Sequence, residues 1–150
     1  MADQKFPDEK HARLNLLAGV WKTEIVMLDE KGLEGERFEA TDTYRWMPGG
    51  YFLLHDVDAF MMGEPITSLE IIGVDPWGGG YISRNYDNRG VVSDYAATLE
   101  DRTWKIKGEQ ERFEGRIDED GRTLAGRWER LDKSDWIPWM KVVLRKTSDT

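Results

Sequence analysis

The hydrophobic pattern changes period once, at Leu16-Leu17-Ala18-Gly19-Val20-Trp21. Before this point Leu14 and Leu17 lie one helical turn apart, and Pro7 precedes acidic residues that suit a helix N-terminus. A short helix is therefore predicted over 8–17, behind a loose tail at 1–6, with Gly19 as its stop. After it the period is two. Trp21, Thr23, Ile25 and Met27 share one face and Lys22 and Glu24 the other, as in a half-buried strand.

Alternation then recurs along the rest of the chain. The second strand sets Phe38, Ala40, Asp42, Tyr44 and Trp46 against Arg37, Glu39, Thr41, Thr43 and Arg45, and Met47-Pro48-Gly49-Gly50 turns it. The third, Tyr51 to about Phe60, carries Tyr51, Leu53, His55, Val57 and Ala59 on a face without formal charge, which is placed inside. Phe52, Leu54 and Phe60 then face outward and hint at a covered surface, such as a homodimer contact; the alternative is a reversed face with His55 outside. Further strands are predicted over 66–74, 81–86, 91–99, 103–107, 111–117, 122–131 and 136–145, although 109–114 would also suit a helical turn. Turns such as Asp118-Glu119-Asp120-Gly121 separate them. Pro138 removes a ladder donor and predicts an edge or a bulge. One short helix and about ten evenly spaced strands predict a single all-β domain over 1–150, an antiparallel up-and-down barrel or a sandwich.

Composition narrows the function classes. A net charge of −8 without a basic run argues against nucleic acid or an anionic membrane as partner. The absence of cysteine excludes disulfides, thiolate catalysis and Cys-ligated metals. No apolar run approaches the ~20 residues that span a bilayer, and no apolar segment follows the first residues, so a cytoplasmic location is expected.

Gly19-Val20-Trp21 behind a short helix resembles the entrance of calycin-type barrels, which include lipocalins, fatty-acid-binding proteins and nitrobindin-like proteins. The whole chain resembles a bacterial family of lipocalin-like domains of unknown function. The resemblance rests on Leu17-Ala18-Gly19-Val20-Trp21, Met47-Pro48-Gly49-Gly50-Tyr51-Phe52-Leu53, Ile72-Gly73-Val74-Asp75 and Gly126-Arg127-Trp128, and covers most of residues 14–145. It implies a calycin-like barrel with Trp21 across the closed end and an internal pocket, and no established reaction. Nitrobindin-like barrels bind haem through a late histidine. No histidine follows His55 here, so neither haem nor another cofactor is expected.

A barrel of this width holds a cavity that side chains fill only in part. The inward set is Trp21, Ile25, Tyr44, Trp46, Leu53, His55, Tyr95 and Trp128. Tyr44, Trp46, His55, Tyr95 and Trp128 are the candidate lining of a pocket for a small apolar or aromatic molecule, against the plainer reading that they fill the core. The resemblance to fatty-acid-binding barrels, which hold a carboxylate with inward arginines, makes Arg84 or Arg130 a candidate anion anchor; if Trp128 is inside, Arg127 is outside and Arg130 inside.

His55 sits mid-strand among apolar neighbours, where it could orient a ligand or act as a base. The plainer reading, a buried histidine bonded to Asp42 or a tyrosine, is favoured. Asp42 itself needs a partner on its aromatic face; Arg84 and Arg127 are candidates besides His55. One histidine and one aspartate are too few for a metal. No Gly-x-Ser-x-Gly elbow or phosphate loop occurs. Three readings follow: a binder of a small, largely apolar ligand, which is preferred; an enzyme moving a proton with a catalytic His55/Asp42 couple; or a structural module with a filled barrel.

Overall fold

The computed structural model describes residues 5–150. Asp8 caps the first helix, α1 (Glu9–Arg13): its carboxylate accepts the His11 backbone N–H at 3.0 Å and lies 2.7 Å from Nδ1 of the same residue. The predicted helix does not run unbroken to residue 17. It tightens into a 3₁₀ turn, Leu14–Leu16, in which the Leu17 N–H reaches the Leu14 carbonyl at 3.0 Å. The tighter turn sends both Leu14 and Leu17 into the end of the barrel, where neither is exposed. The predicted tail falls largely on residues 1–4, outside the described residues. At Phe6 the chain is anchored, its ring 4.9 Å from that of Trp46.

Ten strands follow: β1 (Gly19–Leu28), β2 (Glu34–Trp46), β3 (Leu53–Met61), β4 (Glu64–Val74), β5 (Tyr81–Asp87), β6 (Val92–Glu100), β7 (Thr103–Lys107), β8 (Glu111–Ile117), β9 (Thr123–Asp132) and β10 (Asp135–Ser148). Each pairs antiparallel with its sequence neighbours, and β10 returns to β1, so the sheet is a closed up-and-down barrel. Closure leaves no unpaired edge. Of the turn-like segment at 109–114, residues 109–110 form a bend and 111–114 begin β8. Tyr51 precedes β3 and is exposed, but the rest of the third strand keeps its expected face: Leu53 and Ala59 are buried, and His55 and Val57 face the interior.

Pro138 lies in a closed barrel, so it marks a bulge and not an edge. The register of β10 against β9 shifts between Pro138 and Met140. The extra residue turns two consecutive side chains, Trp139 and Met140, toward the interior.

Trp21 closes the end beneath the helix. It is fully buried, and its indole N–H donates to the Leu17 carbonyl at 2.9 Å. The Lys146 ammonium of β10 lies 4.9 Å from its ring centroid. Burial pushes the pKa of that ammonium below its ordinary value. Tyr81 and Arg13 tie the helix to the same end, through the Lys10 carbonyl at 2.8 Å and the Leu99 carbonyl at 3.2 Å.

Gly19 does more than stop a helix. Its φ is +133°, and a Cβ there would stand 2.5 Å from the Ser148 carbonyl oxygen. It is the residue that lets β1 meet β10. Gly19→Ala is therefore expected to destabilise the fold by about 1–3 kcal/mol. An unchanged urea midpoint would remove this role.

Candidate functional site

The barrel encloses a cavity of about 300 Å³, open at the end opposite the helix. Its two walls differ in chemistry. Strands β6–β10 supply an apolar wall that includes Trp104, Phe113, Trp128, Trp139 and Val142. Strands β1–β5 supply polar groups: Thr23, Asp42, His55, Ser68, Glu70, Asn85 and Asp87.

The polar wall carries a continuous hydrogen-bonded belt with one member on each of five consecutive strands. The Thr23 hydroxyl donates to Asp42 Oδ2 at 2.5 Å, and Asp42 Oδ1 lies 2.7 Å from His55 Nε2. His55 Nδ1 lies 2.8 Å from Glu70 Oε1, and the Ser83 hydroxyl donates to Glu70 Oε2 at 2.7 Å. Register explains the reach. His55 stands opposite Glu70 across β3 and β4, while the other three links are diagonal neighbours on the inner face.

This belt fixes a protonation state. Carboxylates only accept, so both ring nitrogens must donate and His55 is an imidazolium. Burial opposes that charge. The hydrogen bonds to Asp42 and Glu70, with their negative charge, outweigh it and raise the His55 pKa from 6.5 to about 9. The Tyr44 ring stacks on the imidazolium, with centroids 3.9 Å apart and planes 8° from parallel. Burial first, then the neighbouring Asp42 and Glu70 charges, push the Tyr44 phenol pKa up, so it stays neutral. Near the mouth, the Tyr95 hydroxyl donates to Glu111; burial and that carboxylate raise its pKa too.

Tyr44, His55, Tyr95 and Trp128 meet around the cavity as the alternation predicts. Trp46 does not line it. It lies on the inward-facing side of β2 but at the plugged end, where its indole donates to Asn15 Oδ1 at 2.9 Å. Arg84 faces outward between inward Ser83 and Asn85, and pairs with Asp94 at 2.6 Å. Arg130 follows Trp128 on the inward side of β9, but at the rim, where it is exposed and outside the lining. Neither arginine lines the cavity. Arg127 faces outward and does not meet Asp42. Sequence reasoning missed Glu70, Thr23 and Ser83 as partners of the His55/Asp42 pair. Their signal is alternation along β4, where Ile66, Ser68, Glu70 and Ile72 share the inner face and an acid again interrupts it.

Among the described residues no group of three or more His, Cys, Asp or Glu side chains has metal-holding geometry, and no helix is long and apolar enough to cross a membrane.

Residues 6–141 match the family described as "Protein of unknown function (DUF1579)". The chain belongs to this family. No curated protein matches the DUF1579 chain significantly. Among solved structures it is similar to the crystal structure of Rv2717c from M. tuberculosis, at 12% identity and a TM-score of 0.67, over 93% of this chain and 98% of that one. At that identity the likeness concerns the fold alone. The barrel fold thus recurs at low identity.

Proposed function

We propose that this protein is a lipocalin-like carrier or sensor that binds a small, largely apolar molecule non-covalently inside its barrel. The observation that carries the reading is the cavity of about 300 Å³ with its aromatic wall, a volume at the small end of ligand sites. The plug of Trp21, Leu14 and Leu17 at one end supports it, because a single open end leaves one route for entry. The remaining volume weighs against a filled structural barrel. Proton transfer by His55 and Asp42 has little support: each ring nitrogen is engaged by a carboxylate, so the imidazole has no lone pair for a substrate proton.

A neutral naphthalene derivative titrated against tryptophan fluorescence tests the reading. Saturable quenching is expected, with Trp128→Ala weakening affinity about tenfold through lost apolar contact. A titration that never saturates, or an affinity untouched by Trp128→Ala, counts against an internal site. Native mass spectrometry of gently isolated protein would identify a retained ligand.

A further inference from the structure

We propose that the ligand of this cavity is an organic cation, an amine or ammonium group on an apolar or aromatic body. This rests on the binding reading above and names the chemical class that the site selects. The first observation is the charge of the lining. Asp42, Glu70, Asp87 and Glu111 face the cavity, whereas among the described residues no lysine or arginine lines it. The cation that lines the cavity, His55, is committed on both nitrogens to Asp42 and Glu70. Two carboxylates against one imidazolium leave that buried trio with a charge of −1, and among the described residues no lysine or arginine of the lining offsets it; Arg130 stands at the rim and Lys146 in the plug.

The second observation is the opposite wall. Trp104, Phe113, Trp128 and Trp139 line the same cavity as the carboxylates. Aromatic faces attract cations as well as apolar surface, and more strongly where water is excluded. An ammonium therefore meets favourable partners on both sides. A carboxylate, the group expected from the fatty-acid-binding resemblance, would meet the acids of the lining and no uncommitted cation among its described residues, since His55 is engaged twice, Arg84 is outside and Arg130 is at the rim.

Position refines the assignment. Asp87 ends β5 and Glu111 begins β8, so both stand toward the open mouth, away from the plug. Asp87 is held by its own turn, accepting the Arg89 and Val91 backbone N–H groups at 2.9 and 3.0 Å. Glu111 accepts from Tyr95 through one oxygen, which orients the carboxylate. The ammonium belongs near Glu111, with the apolar body deeper against Trp128.

Isothermal titration calorimetry of the whole protein with three matched probes tests this: phenylbutylamine, phenylbutanol and phenylbutanoate. The amine is expected to bind about tenfold more tightly than the alcohol, with the carboxylate weakest. Glu111→Gln keeps an acceptor for Tyr95 and is expected to reduce that preference about threefold while leaving the alcohol unchanged. Equal affinities, or a tighter carboxylate, would overturn the cationic assignment and leave the binding reading standing. Saturation by none of the probes would overturn both. Since the chain carries −8 overall, amine could also collect on the surface. A preference for amine that survives both Glu111→Gln and Trp128→Ala would place it there and overturn the proposal.

Discussion

Trp21→Ala is expected to destabilise the protein by about 3–5 kcal/mol, the usual cost of emptying a fully buried aromatic site. Three things are lost together. The indole fills the end of the barrel between the helix and the sheet. Its N–H satisfies the Leu17 carbonyl at 2.9 Å, just after the 3₁₀ turn. Its ring faces the Lys146 ammonium, which would then sit over a void. The helix is attached mainly at this end, so its docking should loosen first. Trp21→Phe separates the contributions: it keeps most of the apolar contact but loses the indole N–H, and about 1–2 kcal/mol is expected. Urea unfolding followed by circular dichroism measures both. A midpoint for Trp21→Ala equal to that of the parent would exclude the plug role.

Trp21 also shows what the sequence could reveal. A change of period from helical to two, a glycine and a tryptophan are local signals, and the local alternation extends through β10. Alternation reports which face of a strand a side chain occupies. It does not report height along the barrel, which depends on how strands stagger when the sheet closes. Trp46 and Arg130 both illustrate this. Each has the expected face, yet Trp46 lies at the plugged end and Arg130 at the rim. Arg84 is different: it shares its face with Ile82 and Tyr86, so alternation alone does not tell which face of β5 is outward. Lys146 and Ser148 acquire their roles only from the pairing of β10 with β1, at the far end of the chain from Trp21 and Gly19. Asp42 announced itself as an acid on an aromatic face. Glu70 is the same anomaly two strands further, and only the register of β3 against β2 and β4 shows that the two acids hold one histidine.

Stability should depend on pH through that histidine. The folded pKa of His55, about 9, lies above the 6.5 of an unfolded histidine, so folding favours the protonated ring. Its contribution is complete below pH 6.5 and is lost as pH rises through 9. A shift of this size corresponds to about 3 kcal/mol between the two limits. His55→Gln removes the titrating group but still offers an amide donor to one carboxylate. The difference between parent and variant unfolding free energies should therefore shrink by about 3 kcal/mol across that window, while contributions from the other titrating groups cancel. His55→Ala should cost more at neutral pH, about 3–5 kcal/mol, because it leaves Asp42 and Glu70 facing each other in the interior without their cation. Removing the carboxylates as well, in a variant with Asp42→Asn, His55→Ala and Glu70→Gln, should recover part of that loss, since the charge repulsion disappears with them. If the parent-minus-Gln difference stays flat from pH 6.5 to 9, His55 is not an imidazolium in the folded protein, and the charge balance assigned to the cavity wall changes with it.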